Sequence, residues 1–148
     1  MAKKQPSELL GSYGGAALQL VVHKKLQAKI KVILEDYGLN LTQWLIMSRL
    51  YEKSTGLRTT DLARFMHVEV PLVTMMSRPL LGRGLITSAK GKPDKREKLL
   101  KVTEPAKEMV EAVEKRLQKQ MAGMAKDISL PDLQTYFKVL KSMMVSPA

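Results

Sequence analysis

The residues best equipped to meet a charged ligand lie in one short run, Gly91-Lys92-Pro93-Asp94-Lys95-Arg96. Cations on a turn built with glycine and proline suit phosphate oxygens, and an arginine at such a tip can also enter a minor groove. A charged loop is by default only solvated. Its setting argues for more: two short helical patterns separated by a tight turn, a glycine stop and a strand all lead into it. The charge is concentrated in the same region. From Thr42 to Thr103 there are 12 Lys and Arg against five Asp and Glu, in a chain of net charge +11. Such a field attracts polyanions and speeds association with them; the alternative is a basic but inert surface.

Other chemistries find little to work with. There is no cysteine, which excludes disulfides, thiol redox sensing and Cys-ligated zinc. The two histidines, His23 and His67, are far apart in sequence, and His23 reads as a solvated helix residue rather than a ligand or switch. No glycine-rich phosphate loop and no His/carboxylate metal spacing is present. An enzyme, a catalytic residue, a metal and a cofactor are therefore not expected.

The elements that must position the loop follow from periodicity. Thr59 or Thr60 should cap a short helix with Leu62, Ala63, Phe65 and Met66 inward and Asp61 suiting its dipole. His67-Val68 is the turn, where histidine tolerates left-handed backbone better than most side chains. The next helix should start near Glu69 or Val70 with Pro71 in its first turn. It buries Val73, Met76 and Leu80 and leaves Val70, Pro71, Thr74, Met75 and Arg78 outward. Pro79 predicts a kink or an early end. Leu85–Lys90 and Glu97–Thr103 then read as the strands of a hairpin whose tip is the cationic run. This is the order of a helix-turn-helix followed by a wing, which places one helix in the DNA major groove and a basic loop on the backbone. Thr59, Val70, Pro71, Thr74, Met75, Arg78, Lys92, Lys95 and Arg96 are the expected DNA contacts. The leading end of the helix is apolar, so bidentate base contacts are scarce; contact with a thymine methyl by Val70 or Leu72 would suit it.

The flanks are amphipathic helices. Leu18, Val22, Leu26, Ile30 and Ile33 form a stripe over Ala16–Tyr37, closed by Gly38. Thr42 should cap a helix to about Lys53 with Trp44, Met47, Leu50 and Tyr51 inside. Thr103 caps a long helix with a stripe from Ala106 to Met124, and Ser129 opens a last helix whose apolar side runs from Leu133 to Met144. One small winged unit cannot cover all these faces. They argue for a homodimer, with an intramolecular bundle as the alternative. The expected fold is mainly α with a small β-hairpin: a winged helix-turn-helix at 42–103, dimerisation helices at 16–38 and 104–148, and a flexible arm at 1–15. The N-terminus lacks a secretory pattern and no apolar run approaches the ~20 residues of a membrane span, so a soluble, intracellular protein without a membrane partner is expected.

This order of elements resembles the MarR family of bacterial winged-helix regulators over about Ala16 to Met144. Asp94-Lys95-Arg96 resembles the family's D-x-R wing, and Leu100-Lys101-Val102-Thr103 the junction after it. Leu39-Asn40-Leu41-Thr42-Gln43-Trp44 is similar to the segment entering the family's second helix, Thr60-Asp61-Leu62-Ala63 to its "ELA" helix, and Leu81-Gly82-Arg83-Gly84-Leu85-Ile86 to its glycine stop. The resemblance implies a single domain over 16–148 and a dimer joined by first- and last-helix contacts. It further implies a pseudo-palindromic double-stranded operator, Arg96 in a minor groove, and Asp94 bracing the wing. It also implies a small aromatic or lipophilic effector between stem and lobe, near Val22, His23, Trp44, Met47 and Met109, whose binding releases DNA. The function so implied is a ligand-responsive repressor in the bacterial cytoplasm, at the nucleoid. A winged-helix protein-interaction module or a non-specific architectural DNA binder is the alternative. Glu69, Val70, Pro71 and Leu72 stand where the family usually carries Ser or Thr, and His67 replaces the turn glycine.

Overall fold

The computed structural model describes residues 3–90 and 98–146. In chain order the elements are α1 (Pro6–Leu10), α2 (Tyr13–Glu35), α3 (Leu41–Glu52), β1 (Leu57–Arg58), α4 (Thr59–Met66), α5 (Val70–Gly82), β2 (Ile86–Lys90), β3 (Lys98–Val102), α6 (Glu104–Ala125) and α7 (Leu130–Val145). The expected mainly helical winged fold is present, with three differences in its elements. The stretch read as a loose arm holds α1, and α2 begins at Tyr13 rather than Ala16, because Ser12 Oγ accepts from the Gly15 amide and caps the helix. The sheet has a third strand, β1, too short for any periodicity to reveal. And α5 runs through Pro79 to Gly82. Pro79 lies on the exposed side, while Val73 and Leu80, both 0 % exposed, anchor the helix on either side of it. That burial offsets the roughly 3 kcal/mol an interior proline costs.

Helix ends are set by local chemistry. Asn40, not Thr42, caps α3: its side chain accepts from the Gln43 amide at 2.8 Å while Gln43 accepts from the Asn40 amide at 3.1 Å, a reciprocal capping box. Arg58 occupies the N-cap of α4 with no side-chain cap bond, so neither Thr59 nor Thr60 serves there. Thr103 and Ser129 cap α6 and α7 as read. Three helices stop in the same way. After α2, α4 and α5 the residues Gly38, His67 and Gly84 take left-handed backbone, at φ 65°, 54° and 70°. The amides that follow reach back to Leu34, Ala63 and Leu80, which makes each a Schellman stop that satisfies otherwise orphaned carbonyls.

The sheet is antiparallel in the order β1-β3-β2, with Leu57 opposite Leu100 and Ser88 opposite Leu100 on the other side. Gly56 turns the chain into β1 at φ 95°, and a Cβ there would lie 2.9 Å from the Leu100 carbonyl. The core lies under the lobe. Leu34, Trp44, Ile46, Met47, Leu50, Leu62, Val73, Leu80, Ile86, Leu100, Ala106, Val110 and Val113 are buried together. Met76, expected in the stripe of α5, is only half-buried and Ser77 takes the inner position, its hydroxyl donating to the Val73 carbonyl at 2.7 Å. Tyr51, read as inward, is exposed and donates to Glu111 across α3 and α6.

The stem is different. The stripe of α2 is buried only at its C-terminal end, at Ile33 and Leu34, whereas Leu18 is 64 % exposed. Helix α7 buries no residue at all, and Tyr136, Phe137, Leu140, Met143 and Met144 lie open. No helix among the described residues is long and apolar enough to cross a membrane.

Candidate nucleic-acid interface

The two helices of the expected reading unit form as a pair. Helix α4 ends at Met66, His67 adopts the left-handed turn at φ 54° and ψ 45°, and α5 starts at Val70 with Glu69 at its N-cap and Pro71 in its first turn. A β-carbon disfavours this backbone by roughly 1–2 kcal/mol. The two Schellman bonds at His67 and Val68, at 3.3 and 3.0 Å, hold it there.

Val73, Ser77 and Leu80 face the core, which settles the orientation of α5. At about 100° per residue, Val70, Pro71, Thr74, Met75 and Arg78 fall within an arc of roughly 140° that begins beside the buried stripe at Val70 and reaches the side away from the core at Pro71 and Met75. Met75 is 51 % and Val70 38 % exposed; Pro71 and Arg78 are exposed and Thr74 half-buried. Leu72 is half-buried and lies about 60° beyond Met75, just outside this arc. Thr59 sits half-buried in the first turn of α4. The neighbouring elements carry exposed cations. Arg64 on α4 has its side chain 81 % exposed, 3.5 Å from Asp61. On the sheet, Lys98 and Lys101 are exposed in β3. The wing tip, with Lys92, Asp94, Lys95 and Arg96, lies outside the described residues. The strands that carry it are in place, paired from Ile86 with Val102 to Lys90 with Lys98.

Two contacts missed by sequence reasoning fix α5 relative to its neighbours. Arg83, just beyond the helix, donates from Nη2 to the Tyr37 carbonyl at 2.9 Å and from Nη1 to the Gly38 carbonyl at 3.2 Å. The buried Gln43 side chain donates to the Met76 carbonyl at 3.4 Å. A third tie lies beneath them: Arg116 of α6 reaches Asp36 at 2.7 Å, and its guanidinium sits 5.5 Å from the centre of the Tyr37 ring. The hydrogen bond to Asp36, and then that to Tyr37, holds the Arg116 guanidinium above its ordinary range. Helices α2 and α6 and the C-terminal end of α5 thus meet at the Asp36–Gly38 corner. Arginine at a glycine stop gave no periodic signal, since its partners are backbone carbonyls 45 and 46 residues away.

The five residues expected around an effector are not gathered in one place. Val22 and His23 line a cavity of about 590 Å³ together with Leu26 and with Tyr136, Leu140 and Met143 of α7. Trp44 and Met47 are core residues, 6 % and 0 % exposed, and Met109 is half-buried against the same core. Trp44, which the family resemblance put near an effector and the periodicity put inside, packs in the core here.

With this geometry in hand, comparison with known proteins gives a consistent result. The model of the MarR family matches residues 39–98. No curated protein matches the chain in sequence. Among solved structures, CouR from Rhodococcus jostii RHA1 bound to p-coumaroyl-CoA superposes with a TM-score of 0.80 at 17% identity, over 95% of this chain and 96% of that one. NadR in complex with 4-hydroxyphenylacetate gives a TM-score of 0.80 at 18% identity, over 99% and 100%. A cysteine mutant of MarR from E. coli complexed with operator DNA gives 0.74 at 16% identity, over 95% and 99%. The span matched by the family model holds α3, β1, α4, α5 and β2. Residues 39–98 match the MarR family model, and the chain has the winged-helix fold of that family's solved members.

Proposed function

We propose that this chain is a homodimeric transcriptional regulator that binds a pseudo-palindromic double-stranded operator and is released from it by a small aromatic or lipophilic ligand, most simply as a repressor. The observation that carries the reading is the exposed face of α5, turned outward by burial of Val73, Ser77 and Leu80, in a chain of net charge +11. A helix so presented beside a two-stranded wing fits the major groove, with Lys92, Lys95 and Arg96 on the backbone or minor groove. Dimerisation is supported by α7, which leaves its whole apolar side uncovered, and by Leu18, Leu20 and Val21 of α2, each more than 60 % exposed. An effector is supported by two neighbours of the same fold, solved with p-coumaroyl-CoA and 4-hydroxyphenylacetate. Of the expected lining, Val22 and His23 are the residues open to such a ligand, since they already edge a cavity.

The test is selection from random duplexes by the full chain, followed by titration of the enriched sequence against excess random DNA. Retained binding of the enriched duplex supports a sequence-specific regulator. Loss of binding to random competitor supports the second reading, an architectural or protein-binding module, which the apolar head of α5 favours.

A further inference from the structure

We propose that α5 reads its site chiefly through the 5-methyl groups of thymine, with Val70, Pro71 and Met75 as the reading surface, an inference that rests on the DNA-binding role above. Helix-turn-helix proteins contact base edges with the leading residues of the second helix. Here the leading turn presents Val70 and Pro71 and the next presents Thr74 and Met75. Of the five outward positions, only Thr74 and Arg78 carry hydrogen-bonding side chains, and Arg78 stands eight residues beyond the start of the helix. An Arg, Asn or Gln that would pair bidentately with guanine or adenine is absent from the first two turns. In the major groove the apolar feature available to such a surface is the thymine methyl. Leu72, the other apolar residue of the first turn, is half-buried, which leaves Val70 and Met75, at 38 % and 51 % exposed, and the exposed ring of Pro71 as the side chains free to make that contact.

An exposed apolar patch is also what a protein partner would use. Charge decides between the two. Arg78 lies in the same arc of α5, Arg64 on the helix before it is 81 % exposed, and the exposed acid next to Val70 is Glu69 at the N-cap. In a chain of net charge +11 the balance still favours phosphates flanking base edges in a groove. Affinity then comes from the cations, without sequence preference, and choice of site from the methyl contacts.

The experiment uses the full chain and the duplex enriched from a random pool. Each thymine is replaced in turn by deoxyuridine, which keeps every hydrogen bond and removes only the methyl. At contacted positions binding should weaken by about fourfold per methyl, the factor corresponding to one buried methyl-sized group. In the exposed-site variants Val70→Ser and Met75→Ser the penalty for deoxyuridine should shrink toward unity at one or more of these positions. Near-parental unfolding curves would confirm that both variants fold. If a duplex is bound specifically yet deoxyuridine is neutral at every position, methyl readout is wrong while the regulator stands. If no duplex is enriched, the regulator reading and this inference fall together, and the apolar head is a protein-docking face.

Discussion

Replacing Arg83 by alanine removes the tie between the recognition helix and the end of the stem helix α2. Two hydrogen bonds go, to the Tyr37 and Gly38 carbonyls at 2.9 and 3.2 Å. Both carbonyls lie just past the last turn of α2, where carbonyls lack helical partners and the dipole places partial negative charge. A charge-assisted hydrogen bond can contribute about 1.5–3 kcal/mol when shielded. Arg83 is exposed, so water competes, and about 0.5–0.8 kcal/mol per bond is the appropriate scale, in the range of ordinary net hydrogen bonds. With about 0.3 kcal/mol for the dipole, the total loss is about 1.5 kcal/mol. At 2–4 °C per kcal/mol for a chain of this size, the midpoint should fall by about 3–6 °C. Urea and thermal unfolding should be compared at one protein concentration, because association raises apparent stability. Arg83→Lys keeps the charge but loses the fork, and should recover less than half of the loss. An alanine variant within about 0.3 kcal/mol of the parent would refute the reasoning, showing that water replaces the guanidinium at no net cost.

Three further outcomes follow. Arg96→Ala should weaken operator binding about tenfold at low salt and reduce the slope of log affinity against log salt by about one per subunit, with the dimer still folded; unchanged affinity in a gel-shift titration counts against the wing assignment. Leu50→Ala, at a side chain 0 % exposed, should cost about 2–5 kcal/mol in urea unfolding, and a loss below about 1 kcal/mol would contradict the packing described. The Tyr51 phenol, hydrogen-bonded to Glu111 at 2.9 Å, is raised above its ordinary 10.0, first by that bond and then by desolvation. A raised folded-state value means that its contribution is fully present below the unfolded value and is lost as pH climbs through the raised one. Phenolate absorbance should show Glu111→Gln lowering this ionisation toward that of an ordinary tyrosine; no change would remove the bond from the account.

Much of the lobe was legible in the sequence because local chemistry alone sets it. The turn at His67, the start of α5 before Pro71, and the caps at Thr103 and Ser129 each depend on a few adjacent residues. Where two good cappers compete, the choice depends on a partner three residues on: Asn40 wins over Thr42 because Gln43 closes the box. Of the two outcomes expected at Pro79, the early end does not occur, because a local penalty is outweighed by burial of Val73 and Leu80. Strand β1, of two residues, exists through pairing with β3 and has no pattern of its own. The outward side of α5 could be read because it is the complement of a buried stripe. For Trp44 and Met47 the sequence does not separate pocket lining from core, because both carry the same apolar spacing; in this structure they pack in the core.

The central claim is that two copies of this chain grip one duplex together. Sedimentation of the full chain with the duplex enriched by selection measures this directly, at low and at moderate salt. The account predicts a dimer in the absence of DNA and a complex of two chains on one duplex that dissociates steeply as salt rises. A single protomer at working concentration, or a protomer that leaves the duplex free even in dilute buffer, would contradict it.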